Sequence, residues 1–258
     1  TNVAVTDENE PWWEDKNIGT PSVDWKGQPY NPDNGPAAHP NSRFTVSAKK
    51  NPTYSSLADD PAGVPISAII FGGRRRKLAP LVFQARDWNH GVFVGAGVAS
   101  ETTAAASGQV GVVRRDPMAM KPFCGYNFAD YWSHWLSFGE KSNQLPGIFH
   151  VNWFRRDESG RFLWPGFGDN LRVLRWIIDR CEGRAEAIET PIGFLPDPSD
   201  IDVSGLDMRD GDLEELLRVD REAWIEELKS IGDYLNDFGD RVPQQLKTEQ
   251  RKISDSLA

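Results

Sequence analysis

Four cations stand directly behind an apolar strand, and that junction constrains the fold more than any other stretch of the chain. Val64-Pro65-Ile66-Ser67-Ala68-Ile69-Ile70-Phe71 reads as a buried strand ended by Gly72-Gly73, and Arg74-Arg75-Arg76-Lys77 follow without a spacer. An apolar run of this length needs cover on both faces, which points to an α/β lobe built on a sheet. The glycine pair permits a tight turn and the close approach of a ligand, and arginine forks match phosphate oxygens bidentately. The same four side chains read equally well as a solvated basic turn.

The pattern on either side supports a mixed sheet closed by helices. Strands are expected over Ile66–Phe71, Leu81–Ala85, Val92–Val94 and Phe149–Phe154. The small residues from 91 to 106 suggest an element packed very closely, running into a mobile loop near Ser107 to Gly111. Phe128, Tyr131, Trp132, Trp135 and Leu136 recur at helical spacing within 126–138. A second helix is expected over 171–181, with Leu171, Leu174, Ile177, Ile178 and Cys181 on one face. Asp169 or Asn170 would cap it, and Gly183 would stop it. From Asp212 onward the tail is helical, with stripes at Leu213, Leu216 and Leu217 and at Trp224, Leu228, Ile231 and Leu235. Residues 6 to 65 are rich in Pro, Gly, Asn and Asp and are expected to be irregular, lying across a partner surface. The opening on Thr1 reads as a cut through a larger protein.

Several function classes are disfavoured at this stage. A net charge of −9 over 258 residues argues against general electrostatic binding of nucleic acid. Nothing approaches the ~20 apolar residues of a membrane span, and no signal peptide pattern is present. Cys124 and Cys181 make no disulfide framework and fit a reducing, cytoplasmic setting. His39, His90, His134 and His150 lack any close metal-ligand spacing. There is no Gly-x-Ser-x-Gly elbow and no Gly-rich loop ending in Lys-Ser or Lys-Thr.

Aromatic residues offer a second candidate. Phe154, Phe162 and Phe167 surround an expected hairpin turn at 156–161 and the turn Pro165-Gly166-Phe167-Gly168-Asp169-Asn170. Rings spaced this way can sandwich a planar base, and the Asn170 amide could read its edge. By residue type alone, an aromatic core beside a helix cap is the more frequent outcome.

Taken together, these segments resemble the GTP-dependent phosphoenolpyruvate carboxykinases. The resemblance rests on His39-Pro40-Asn41-Ser42-Arg43-Phe44, Ile69-Ile70-Phe71-Gly72-Gly73-Arg74-Arg75 and Trp88-Asn89-His90-Gly91-Val92-Phe93-Val94-Gly95. It continues through Asp116-Pro117-Met118-Ala119-Met120, Phe123-Cys124-Gly125-Tyr126-Asn127-Phe128 and Phe149-His150-Val151-Asn152-Trp153-Phe154-Arg155. Phe162-Leu163-Trp164-Pro165-Gly166-Phe167-Gly168-Asp169-Asn170 completes it.

The resemblance implies the family's α/β nucleotide-binding lobe with a helical C-terminal tail. It also implies the conversion of oxaloacetate and GTP to phosphoenolpyruvate, GDP and carbon dioxide in gluconeogenesis. Asn41, Ser42 and Arg43 would contact substrate, with Arg43 also reaching the transferred phosphate, and Arg74 would be the second phosphate arginine. Phe154 and Phe167 would clamp guanine, Phe162 would close the pocket, and Phe167, Gly168, Asp169 and Asn170 would form the guanine-reading turn. A mobile lid near 102–112 would hinge at Glu101. The resemblance implies a substrate-motif segment over 1–65, a guanine-nucleotide lobe over 66–199 and a helical tail over 200–258. The manganese ligands and phosphate loop would lie outside this chain, in the missing N-terminal part of a monomeric enzyme. No catalytic or metal-ligating residue is then expected here, and the chain alone should be inactive. A stand-alone module that binds a guanine nucleotide or a sugar without chemistry is the competing reading.

Overall fold

A computed structural model describes residues 2–14, 16, 18–43, 45–103 and 109–258. The chain divides into two compact units, one formed by Thr1–Pro65 with Thr102–Val110 and the other by Ile66–Glu101 with Gly111–Ala258.

In the first unit a small antiparallel sheet orders part of a segment expected to be irregular. It joins β1 (Ala4–Thr6), β2 (Pro11–Trp12) and β3 (Pro21–Val23) in the order β2-β1-β3. Beyond it the chain runs as turns and single turns of 3-10 helix, because Pro and Asn at this density keep interrupting a ladder.

The second unit is an α/β lobe. Its mixed sheet contains β4 (Ala68–Gly72), β5 (Val82–Gln84), β8 (Gly147–Val151), β9 (Ile188–Thr190) and β10 (Gly193–Leu195), in the order β4-β8-β5-β10-β9. Strands β4 and β8 run parallel with Ile69 opposite Ile148, whereas β5 crosses β8 antiparallel with Phe83 opposite His150. Because β4 is an edge strand, its apolar run is less covered than the sequence implies. Ile66 precedes the strand and is 70% exposed, Ile70 is 40% exposed, and only Phe71 of the run is buried.

The expected strand at Val92–Val94 is instead the middle of helix α1 (Trp88–Ala96). Its faces are buried nearly all round, so the sequence carries no amphipathic period to reveal it. The decisive local signal is Asp87, whose carboxylate accepts the His90 backbone N–H at 2.8 Å and caps the helix. Gly91 lets α1 lie against β8, since a Cβ there would sit 2.4 Å from the Ile148 Cδ1.

Two further helices appear close to where the periodicity puts them. Helix α2 (Phe128–Lys141) is capped by Asn127 and buries Phe128, Trp132 and Leu136. Helix α3 (Asn170–Cys181) has Asp169 at its N-cap and is stopped by Gly183 at φ 68°. Helix α3 buries Val173, Trp176 and Ile177; of the expected stripe Ile177 is buried and Leu174 and Cys181 are partly so, whereas Leu171 and Ile178 are 69% and 47% exposed. Trp176 decides the rotation: its indole packs edge-on to Phe149 in the sheet, with centroids 6.1 Å apart. The C-terminal helices α4 (Asp212–Leu217), α5 (Arg221–Asn236) and α6 (Gln244–Leu257) bury Leu216, Leu228, Leu235, Leu246 and Leu257 in the same core as the sheet.

Two histidines are buried in that core. His90 Nδ1 accepts the Arg86 backbone N–H at 3.0 Å, and His150 stacks on Phe83 with centroids 5.1 Å apart. Burial, aided by Arg86 beside one ring and Arg75 beside the other, pushes both down to about 4. An unfolded histidine titrates near 6.5, so between about pH 6.5 and 4 the unfolded chain holds the extra protons. The stabilisation is therefore complete above that window and lost as pH falls through it. At roughly 1.4 kcal/mol per pKa unit, each ring accounts for about 3 kcal/mol. We expect the urea midpoint to fall clearly between pH 7 and pH 5, above the range where ordinary carboxylates titrate. Equal midpoints at the two values would contradict this.

Candidate functional site

The turn between β4 and β5 carries the four cations, and the structure separates their roles. Gly73 is required by the protein itself: a Cβ there would lie 2.3 Å from the Ala99 carbonyl oxygen. The glycine thus serves backbone packing, where the sequence suggested room for a ligand. Arg75 is turned inward and forms a bidentate pair with Glu227, at 2.8 and 2.9 Å. Arg76 pairs with the Glu101 carboxylate at 2.8 Å, through both its backbone N–H and its Nε. Arg74 and Lys77 have no carboxylate partner among the described residues. The Arg74 Nε donates to the Glu101 carbonyl at 3.3 Å, and its guanidinium carbon lies 5.9 Å from the centre of the Phe154 ring. Two of the four cations are therefore structural, and Arg74 remains a half-buried, ring-facing positive charge.

Asn152 holds this turn in shape. It is fully buried at the end of β8, and its Nδ2 donates to the carbonyls of Arg75, Leu78 and Ala79 at 2.8, 3.2 and 3.0 Å. Its Oδ1 accepts the backbone N–H groups of Arg75 and Phe154 at 3.3 and 3.2 Å. One amide thereby fixes the basic turn to the segment that presents Phe154. This is also why β8 stops at Val151, short of the expected Phe154: the Asn152 side chain substitutes for a ladder partner.

Glu101 ends β6 (Ala99–Glu101), which pairs antiparallel with β7 (Val113–Arg115), Ala99 opposite Arg115 and Glu101 opposite Val113. Residues 102 to 112 connect the two strands along the chain, and 104–108 lie outside the described residues. The ribbon is bonded to the basic turn. The Arg74 N–H donates to the Ser100 Oγ at 3.1 Å, and the Glu101 N–H donates to the Arg74 carbonyl at 2.9 Å.

The aromatic part of the site is built on the turn after Arg155. Arg156 bridges Phe162, and Asp157 closes the turn by accepting the Arg161 N–H at 2.9 Å. Arg161 reaches on to Asp212 at the start of α4 with bonds of 3.0 and 2.7 Å, which anchors the turn to the body of the lobe. Phe154 and Phe162 meet edge to face, with centroids 6.4 Å apart and planes at 67°. The Arg156 guanidinium lies 3.8 Å from the centre of the Phe162 ring. These two rings form a corner rather than a parallel sandwich. Phe167 and Asp169 bound a single turn of 3-10 helix that leads into α3, and the Phe167 side chain lies outside the described structure. The buried Trp164 indole N–H donates to the Asn170 Oδ1 at 2.9 Å. Because an indole only donates, this fixes the amide orientation and leaves the Asn170 NH2 without a hydrogen-bond partner among the described residues.

Asn41, Ser42 and Arg43 lie in the first unit, on a turn organised by His39. The His39 carbonyl accepts the Ser42 N–H at 2.7 Å, and its Nδ1 accepts the Asn41 N–H at 3.0 Å. Arg43 donates to the Asn41 Oδ1 at 3.4 Å. The second unit brings together Arg74, Glu101, Phe154 and Phe162, and sets Asn170 against Trp164. Sequence reasoning missed Asn152, Glu227 and Arg115. Only Asn152 had a legible signal, an amide inside an apolar run, where it must find partners. Among the described residues no group of three or more His, Cys, Asp or Glu could hold a metal ion, and both cysteines are free thiols. No helix among them is long and apolar enough to cross a membrane.

The family model described as "Phosphoenolpyruvate carboxykinase C-terminal P-loop domain" matches residues 1–256. Three relatives named "Phosphoenolpyruvate carboxykinase [GTP]" show the breadth of the similarity. That of an Arthrobacter species is 51% identical over all of this chain and 43% of its own length. That of Chlamydia muridarum is 48% identical, again over all of this chain and 43% of its own length. That of Thermoplasma volcanium is 49% identical over 96% of this chain and 42% of its own length. The chain thus spans well under half the length of the curated relatives it matches.

The five bonds of Asn152 make a direct test of the turn. Asn152→Ala strands three carbonyls and two N–H groups, each worth about 1–3 kcal/mol when buried and unsatisfied. Allowing for relaxation, we expect a loss of at least about 2 kcal/mol in urea unfolding. A loss below ~0.5 kcal/mol, the scale of an ordinary surface change, would show that the amide is dispensable.

Proposed function

The chain belongs to the GTP-dependent phosphoenolpyruvate carboxykinase family, and on that premise we propose that the protein containing it converts oxaloacetate and GTP to phosphoenolpyruvate, GDP and carbon dioxide. Residues 66–199 would serve as the guanine-nucleotide lobe, 1–65 as the substrate-motif segment and 200–258 as a helical tail. The remaining part of a monomeric, cytoplasmic enzyme would complete the site, and the reaction would serve gluconeogenesis.

The observation that carries the nucleotide assignment is the bond between Trp164 and Asn170. With its Oδ1 bonded to the buried indole, the group of Asn170 left over is its NH2, a donor. Guanine presents the acceptor O6 where adenine presents an N6–H2 donor, so this amide complements one base and opposes the other. Phe154 and Phe162 supply faces for stacking, together with Phe167, while Gly168 and Asp169 shape the turn. Arg74, held by Glu101 beside the Phe154 ring, would meet the phosphates of a base seated there.

In the reaction, the bond from C3 of oxaloacetate to its departing carboxylate breaks and releases carbon dioxide. Its electron pair forms an enolate, and the enolate oxygen attacks the γ-phosphorus of GTP as GDP leaves. Charge spreads over the equatorial phosphoryl oxygens, where the guanidinium groups of Arg43 and Arg74 would stabilise it. Asn41 and Ser42 would hold the substrate carboxylates. The 102–112 segment, hinged at Glu101, would exclude water from an enolate that water would otherwise protonate to pyruvate. The manganese that the family resemblance implies has no donor set among the described residues, and no step here runs through it.

Titration of the intact protein should show GTP bound well ahead of ATP. Asn170→Asp keeps the size and the Trp164 contact but replaces the donors with an acceptor. It should weaken GTP by about 1–3 kcal/mol, the scale of a base-edge contact. Equal affinity for both nucleotides in the parent protein would reject the guanine assignment.

Charge geometry at the phosphates gives a second check. Arg43→Lys and Arg74→Lys retain the charge but lose the planar fork, so each should cut turnover of the intact enzyme strongly. Rates near that of the parent for both variants would return these arginines to an ordinary surface role.

A further inference from the structure

Three arginines stand on the turn that follows β8, and they use their charge differently. Arg155 is buried, and its Nη2 donates to Glu215 at 3.0 Å. Arg161 holds Asp157 through its Nε at 3.0 Å and Asp212 through both Nη atoms. Arg156 has no carboxylate partner among the described residues. Its neighbour Asp157 is already taken by Arg161 and by the Ser159 hydroxyl, which donates at 2.6 Å. The Arg156 Nη1 donates to the Gly160 carbonyl at 2.8 Å, and the guanidinium lies 3.8 Å from the centre of the Phe162 ring.

The backbone sets this contact. Arg156 and Phe162 are antiparallel bridge partners, so their side chains rise from the same face of the hairpin. The Asp157 N–H donates to the Arg161 carbonyl at 3.0 Å, and Gly160 turns the chain at φ 86°. The Arg156 N–H donates to the Arg76 carbonyl at 2.8 Å, which ties the pair to the basic turn. The arrangement repeats that of Arg74 beside Phe154. Each of the two rings that meet edge to face therefore carries a guanidinium that no described carboxylate claims.

An exposed contact of this kind contributes only about 0.5–1 kcal/mol, and Phe162 stays 45% exposed, so stability is a weak reason for it. Its electrostatic effect is more specific. The face of a benzene ring is negative, as is the face of an electron-rich purine, so the two repel when stacked directly. A cation behind the ring offsets that field and makes the opposite face a better platform.

We propose that Arg156 is a positioning residue for the purine base: it covers one face of Phe162, holds the ring in place and primes the other face to stack guanine. The inference rests on the carboxykinase reading above, which puts the base beside Phe162. The two free guanidinium groups then have separate tasks, Arg74 toward the phosphates and Arg156 toward the base.

The test measures binding of GDP, ADP and inorganic pyrophosphate to the intact protein by calorimetry, per mole of folded protein. Arg156→Gln keeps a planar polar group without the charge, and Arg156→Lys keeps the charge. For Arg156→Gln we expect GDP affinity to fall about 3- to 10-fold, the range of a cation–ring contact that becomes partly desolvated. Arg156→Lys should recover most of that loss. Pyrophosphate, which has no base, should bind Arg156→Gln as it binds the parent. In a Phe162→Leu background the Arg156→Gln loss should vanish, because the cation then has no ring to act through. A merely structural role would weaken both probes together and persist without the ring. If Arg156→Gln does not fold, Arg156→Met supplies the neutral side chain for the same comparison. A parent that binds GDP and ADP equally overturns the guanine reading and this inference with it. In a parent that prefers GDP, an unchanged or raised GDP affinity in Arg156→Gln, or an equal loss for pyrophosphate, overturns the role of Arg156 alone.

Discussion

The geometry of the second unit depends on a single buried side-chain amide, that of Asn152, which replaces a length of regular secondary structure. Between β4 and β5 the chain must reverse while presenting cations outward, and no ladder or helix is present there to satisfy its carbonyls. Asn152 does so from the neighbouring strand, taking three carbonyls with its nitrogen and two N–H groups with its oxygen. A backbone that would otherwise need water is thereby kept dry and in one shape. Arg74 on one side and Phe154 on the other inherit their positions from it. The carboxylates of Glu227 and Glu101 then hold Arg75 and Arg76, so that a run of four cations becomes two braced arginines, one guanidinium facing an aromatic ring and an exposed Lys77.

Much of this architecture could be read before any coordinates. The change from continuous apolar runs to helical spacing located β4, β5, β8, α2 and α3 to within a few residues, because each carries a period or a turn at its ends. The failures have physical causes. Helix α1 is buried all round, so a period that depends on a solvent-facing side was absent, and Gly91 and Gly95 looked like strand or loop residues. The rotation of α3 was misjudged because Leu171 and Ile178 outranked Val173 by hydrophobicity, while the large ring of Trp176 determined which face the sheet would accept. Strand β4 looked fully buried because its sequence is apolar, and nothing local indicates that a strand lies at a sheet edge.

The candidate site was proposed from short contiguous words, Asn41 to Arg43 and Phe162 to Asn170. The sequence was silent where the basic turn depends on partners distant along the chain. Arg75 and Glu227 are separated by 152 positions and Arg115 and Glu227 by 112, and no spacing rule connects them. The sequence could show that four cations follow a strand. Only the folded chain shows which of them are already satisfied.

The hydrogen bond from Trp164 to Asn170 has a consequence for substitution at either position. To present its oxygen in place of its NH2, the Asn170 amide would have to rotate. That rotation would set an NH2 group against the buried indole N–H, donor against donor. A substitution at Trp164 would release the orientation of the Asn170 amide, so the two positions are coupled through that one bond.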